Sequence, residues 1–182
     1  MTKIIIFGVI SGFLVSVSWA SFRRPRSHGF YRFFAWEAIL GLVLRNIEAW
    51  FADPFSLRQI ASWTLLTFSA GLVVHGAYLL RRFGRRSERR ADETLLGLEK
   101  TTSLVTVGAF RYIRHPLYSS LLFLAWGTYF KLPEIATSVL VLMASAFLVL
   151  TARADEAECI DFFGAEYEKY MRRTKRFIPF IV

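Results

Sequence analysis

Long apolar blocks, each closed by arginines or by a turn, leave this chain few ways to fold. Ile4 to Phe22 is nearly uncharged and ends on Arg23, Arg24, Pro25 and Arg26. Phe30 to Phe51 and Leu57 to Leu80 follow, separated by an Asp-Pro turn within Ala52 to Ser56; Leu117 to Phe130 and Ile135 to Ala152 come later, separated by Lys131-Leu132-Pro133-Glu134. Hydrophobic residues make up 54% of the chain, and they arrive in runs of membrane length rather than in short amphipathic periods. The expected fold is all-α: an integral membrane helical bundle of five transmembrane helices, in one domain over 1–182, with a C-terminal amphipathic helix at the cytosolic interface. One continuous helix from Leu117 to Ala152 would reach about 54 Å, too long for a ~30 Å hydrocarbon core, so Pro133 marks the corner of a hairpin. Ser18-Trp19-Ala20 raises a secretory signal peptide as the alternative for the first block. The single Lys3 ahead of it and the long apolar core favour a retained span.

A net charge of +9 and a pI near 10.1 invite a nucleic-acid reading, and the distribution of the charge rejects it. The basic residues collect between apolar blocks, six of them in the ten residues Arg81 to Arg90, as in a loop lying against anionic lipid. That loop continues through an amphipathic Thr94 to Lys100 and is long enough to cover a pocket. An outside N-terminus puts Arg23, Arg24, Arg26, Arg32, the six loop arginines, Lys100, Arg111, Arg114, Arg153 and the C-terminal basic cluster on the cytosolic side. Only Lys3, Arg58 and Lys131 lie opposite. The C-terminus is then cytosolic and the number of spans odd.

The second block carries Glu37, Arg45, Asn46 and Glu48. At 100° per residue Glu37 and Glu48 fall within about 20° of each other, and Arg45 about 80° from Glu37. Such groups at membrane depth are paired or line a cavity, so the reading is an internal ion pair, with a substrate-headgroup role for Glu37 and Arg45 as the alternative. His75 stands alone among small and hydroxyl residues of the third block and is expected to be a hydrogen-bonded packing residue. Neither it nor His28 has a metal-ligand partner at i+3 or i+4, and the single Cys159 rules out a disulfide within the chain or a cysteine metal cluster. No metal is expected.

Two polar stretches frame the last two blocks. Gly108 to Tyr118 reads G-A-F-R-Y-I-R-H-P-L-Y. Pro116 belongs in the first turn of a helix and pushes His115 toward an extended backbone, which leaves free N–H groups and a positive dipole end beside Arg114 and His115. Arg153 to Tyr170 supplies the opposite charge, with Asp155, Glu156, Glu158 and Asp161 in the first two turns of a helix expected to run to about Thr174. Gly164 would lie inside that helix. A solvated helix start, favoured by the dipole, is the plain account of the acids, and an interfacial arginine that of Arg114.

The ordered set G-x-F-x-x-x-R-H-P-x-Y, an acidic pair, F-G-x-E-Y-x-x-Y and a closing F-I-P resembles the membrane methyltransferases typified by isoprenylcysteine carboxyl methyltransferase and the phospholipid N-methyltransferases. The resemblance runs from Leu104 to Pro179. It implies S-adenosylmethionine as cofactor, bound on the cytosolic side, and methyl transfer to a lipophilic or membrane-borne acceptor. By the same resemblance Gly108, His115, Pro116, Tyr118 and Glu156 bind the cofactor, and Arg114 and Glu156 act at the reaction centre. The family's usual Glu-Glu pair is Asp155-Glu156 here, and its usual glycine two residues past the motif tyrosine is Ser120. Two other readings stay open: a membrane interaction protein that keeps the fold without the chemistry, and an NADPH-dependent enzyme like the sterol reductases that share it.

Overall fold

The computed structural model describes residues 1–85 and 101–181. Among them are seven α-helices and no strand: α1 (Thr2–Val17), α2 (Trp19–Phe22), α3 (His28–Asn46), α4 (Leu57–Phe83), α5 (Pro116–Tyr129), α6 (Ile135–Phe163) and α7 (Ala165–Met171). Half of the Arg81–Arg90 run and all of Thr94 to Lys100 lie outside the described residues.

Two helices, α4 and α6, are long and apolar enough to cross a membrane. The outward faces match that reading: Ile60, Phe68, Val73 and Val74 on α4 and Val139, Leu142 and Met143 on α6 are exposed. Rows of exposed large side chains on a folded helix are what lipid contact requires. Residues of α1 all remain unburied in the bundle. The bundle itself rests on two antiparallel pairings, α3 against α6 and α4 against α5. Ala38, Leu42, Ala125, Val141 and Ala144 let α3, α5 and α6 approach, and a Cβ on Gly127 would come within 2.9 Å of Leu66, so α4 and α5 touch through a small residue.

Several polar side chains along these contacts donate to backbone carbonyls or to a side chain of the neighbouring helix. Ser62 and Ser69 donate to the carbonyls of Gly127 and Ser120 at 2.7 Å each, and Asn46 donates to the Thr128 carbonyl at 2.7 Å. Lys131, fully buried in the α5–α6 turn, donates to Gln59 at 2.9 Å and lies 3.5 Å above the Trp63 ring. Glu37 and Arg45 of α3, and Glu48 just beyond it, pair outward rather than with each other. Glu37 accepts from Ser11 at 2.7 Å, Arg45 donates to Glu134 at 2.9 Å, and Glu48 meets Lys3 at 2.7 Å. The internal ion pair expected from helical spacing is absent among the described residues because α1 and the α5–α6 turn bring nearer partners.

The C-terminal half corrects the sequence reading in a second place. The acidic residues do not open a new helix. They continue α6, whose 29 residues run from the apolar segment without a break to Phe163. Gly164 ends that helix instead of lying inside one: its φ is +60°, a conformation open to glycine, and its N–H still reaches the Ile160 carbonyl at 2.8 Å. The expected amphipathic helix is thus the last turns of α6 plus the seven-residue α7.

Candidate functional site

Once the acids lie at the end of α6 rather than at the start of a helix, the dipole no longer favours them, and each needs a partner. Glu158 finds one on the far side of the sequence. It accepts the His28 backbone N–H at 3.0 Å and meets the ring Nδ1 at 2.5 Å, so it caps the start of α3, where the dipole does welcome an anion. Sequence spacing within one helix gave no hint of that pairing. His28, Asp155 and Glu158 bring donor atoms within 4.8 Å of one another.

Glu156 is the hub. Its Oε1 accepts from Arg114 Nε at 2.8 Å and from Arg176 Nε at 3.0 Å, its Oε2 accepts from Arg176 Nη2 at 2.6 Å, and the His115 ring lies 3.2 Å away. Arg114 also donates to the Met171 carbonyl at 3.2 Å and to the Thr174 carbonyl. Backbone pairing completes the junction. Arg114 N–H meets Lys175 O at 2.8 Å, His115 N–H meets Arg176 O at 3.2 Å, and Lys175 N–H meets Tyr112 O at 3.0 Å. The C-terminal tail therefore lies parallel to residues 112–115 as a one-bridge ribbon, fixed from behind by Glu156. Arg176 escaped the sequence reading because it sits in a dense basic cluster where every arginine looks interfacial.

Pro116 occupies the first position of α5 and His115 precedes it with φ −123°, as the Pro rule requires. The imidazole bridges two carboxylates, Asp155 at 3.4 Å through Nδ1 and Glu156 at 3.2 Å through Nε2, and Tyr118 stacks on it at 5.3 Å. Burial alone would lower the His115 pKa, but the hydrogen bonds to Asp155 and Glu156 outweigh it and the net shift is upward. A ring with a carboxylate on each nitrogen is a double donor, which is the imidazolium. A raised folded-state pKa means that the native protein holds this proton more tightly than the unfolded chain does. The resulting stability is present below about pH 6.5 and is lost as pH rises through the folded value. Thermal unfolding in detergent from pH 6 to 9 is expected to show a falling melting temperature, and His115→Gln is expected to flatten the slope.

In front of this junction lies a cavity enclosing about 650 Å³ out to its open mouth. Arg114, His115, Pro116, Tyr118 and Asp155 form one side; Leu80, Leu104, Val105, Phe110, Phe163, Tyr167 and Tyr170 form the rest. Tyr170 is held by donating to the Phe110 carbonyl at 2.6 Å. The two polar stretches named from sequence thus meet over a shared hollow. Not every named residue faces it. Glu156 stands behind the wall, Glu37 and Arg45 lie away from it, and Gly108 supports it from outside: there His75 Nε2 accepts the Ala109 N–H at 3.3 Å, the packing role expected of that histidine.

The sequence is similar to that of several methyltransferases. A methanethiol S-methyltransferase of Pseudomonas deceptionensis is 24% identical over 149 residues, which cover 75% of this chain and 55% of that protein. A protein-S-isoprenylcysteine O-methyltransferase of Schizosaccharomyces pombe is 34% identical over 79 residues, covering 43% and 34%, and the Arabidopsis thaliana protein-S-isoprenylcysteine O-methyltransferase B is 26% identical over 122 residues, covering 65% and 61%. These likenesses support a place for the chain among isoprenylcysteine methyltransferase-like membrane proteins. It spans about half the length of the relatives named methanethiol S-methyltransferase that it matches. No family model matches it, and no solved structure does. Arg114, His115 and Asp155 give the cavity its polar end, and Glu156 and Arg176 hold them from behind.

Proposed function

We propose that this chain transfers a methyl group from S-adenosylmethionine to a membrane-borne or lipophilic acceptor that presents a thiolate or a carboxylate, with cofactor bound at the cytosolic end of the bundle. The observation that carries the reading is the cavity in which the His115-Pro116 corner and Asp155 share a wall with five aromatic side chains, Phe110, Tyr118, Phe163, Tyr167 and Tyr170. Those residues fit the cofactor. Aromatic faces suit a purine and a sulfonium cation, and the polar end built from Arg114, His115 and Asp155 suits an amino-acid moiety. When bound, S-adenosylmethionine supplies an electrophilic methyl group. The protein's part is alignment and exclusion of water, which can account for most of the rate of a displacement that disperses charge.

The preference for a thiolate or carboxylate follows from Glu156. An ammonium acceptor has to lose a proton first, and the carboxylate best placed by sequence to take it is already shared among two arginines and a histidine. An acceptor that arrives deprotonated asks nothing of that group. The names of the relatives, one acting on methanethiol and one on isoprenylcysteine, point the same way.

Purified protein in detergent is expected to bind S-adenosylhomocysteine in calorimetry and to methylate a prenylated cysteine or an alkyl thiol ahead of a phospholipid amine. With a thiol the rate is expected to climb as pH approaches the thiol pKa. Absence of cofactor binding together with absence of turnover across that panel would leave the membrane interaction protein as the better account.

A further inference from the structure

The other end of α3 carries a second hollow that the methyl-transfer reading does not use. It is an open groove of about 930 Å³ out to its mouth, walled by α1, the C-terminal end of α3 and the α5–α6 turn. Arg45 follows His28 by 17 residues on one helix, so the two hollows stand about 26 Å apart along the bundle, close to the thickness of a hydrocarbon core. Its rim holds two ion pairs, Lys3–Glu48 at 2.7 Å and Arg45–Glu134 at 2.9 Å, above an apolar floor of Ile4, Phe7, Leu44 and Leu132. Two cations and two anions leave the rim neutral but strongly patterned. All four side chains are at least a third exposed, so their remaining hydrogen-bonding positions are open to a ligand.

We propose that this groove binds the headgroup of a zwitterionic phospholipid bearing a primary ammonium, in the leaflet opposite the candidate methyl-transfer site. A neutral rim offers no net attraction to an anionic lipid, whereas a zwitterion finds both of its charges matched. Its phosphate faces Lys3 and Arg45 while its ammonium donates to Glu48 and Glu134. Acyl chains leave over the apolar floor, along α1, whose side chains are otherwise unburied by the bundle. This lipid is a resident of the fold and not the methyl acceptor, because the cavity that holds Asp155 and His115 lies at the other boundary. The assignment is independent of whether the chain transfers methyl groups.

Native mass spectrometry of protein taken from mixed bilayers tests it. From equal phosphatidylethanolamine and phosphatidylglycerol, the wild type is expected to retain the ethanolamine lipid about fivefold over the glycerol lipid. Glu48→Gln with Glu134→Gln leaves a rim of two uncompensated cations and is expected to reverse that order. Glutamine at 134 keeps the capping box that starts α6, so the helix start survives the change. A wild-type preference for phosphatidylglycerol, or the same ratio in wild type and variant, would overturn the proposal. A second measurement needs no variant. Phosphatidylcholine, whose methylated ammonium has no N–H to donate, is expected to be retained less than phosphatidylethanolamine, and equal retention would also overturn it.

Discussion

Glu156→Ala is expected to be the most damaging single substitution in the C-terminal half, lowering stability by about 3–5 kcal/mol and abolishing measurable binding of S-adenosylhomocysteine. The carboxylate is 4% exposed and is shared by Arg114, Arg176 and His115. Removing it leaves two guanidinium groups and an imidazolium facing one another at the edge of a low-dielectric bundle. Arg176 is then free to swing out, and with it goes the tail whose backbone pairs with Arg114 and His115. Glu156→Gln separates charge from shape: it keeps an acceptor oxygen for one arginine, so a smaller loss of stability is expected. Asp155→Asn supplies the contrast. Asp155 lines the cavity, so this change is expected to weaken cofactor affinity by about tenfold or more while costing less stability than Glu156→Ala, the loss being that of one partner of His115. Thermal unfolding and calorimetry on the three variants, in one detergent, check the set. If Glu156→Ala melts like the wild type, the tail is not held as described here.

That division of labour between neighbouring acids is where the sequence was hardest to read. Resemblance placed the cofactor role on Glu156 and left Asp155 in doubt; the structure turns Asp155 toward the cavity and Glu156 toward the tail. The main supports were legible. Apolar blocks set the starts of α1, α3, α4, α5 and α6 to within two residues, because hydrophobicity acts locally, and Pro116 fixed the start of α5 for the same reason; the end of α6, eleven residues past its apolar block, was not legible. Partners far apart in the sequence were not either. Glu158 reaching back to His28, like Arg45 reaching Glu134, depends on how helices dock, and no periodicity within one helix encodes it. Gly164 was ambiguous in principle. A glycine within a helical pattern either packs closely or ends the helix, and here nothing lies within 4 Å of its added Cβ, so the backbone conformation decides.

Gly108→Ala is expected to destabilise the protein by about 2–5 kcal/mol and to weaken S-adenosylhomocysteine binding by tenfold or more, although the residue touches no part of the cavity. Its φ is +58°, which costs an alanine roughly 1–2 kcal/mol before any contact is considered. The added Cβ would then lie 2.6 Å from Leu79 Cδ1 and 2.7 Å from His75 Nε2. Both belong to α4, and Leu79 is buried at 5% exposure, so that side has little room to give. His75 accepts the Ala109 N–H, and Leu79 packs with Val105 and Phe110, which line the cavity. Relief of the overlap has to come from the segment carrying Phe110, and that movement withdraws the carbonyl to which Tyr170 donates. The damage therefore passes from a backbone angle to the cavity wall through two named contacts. Gly71→Ala on the same helix is the control: nothing lies within 4 Å of its Cβ, so it is expected to leave binding unchanged and to raise stability slightly through helix propensity. A Gly108→Ala protein that binds and melts as the wild type does would mean that the 108–111 turn is not seated on α4, and the cavity would lose that wall.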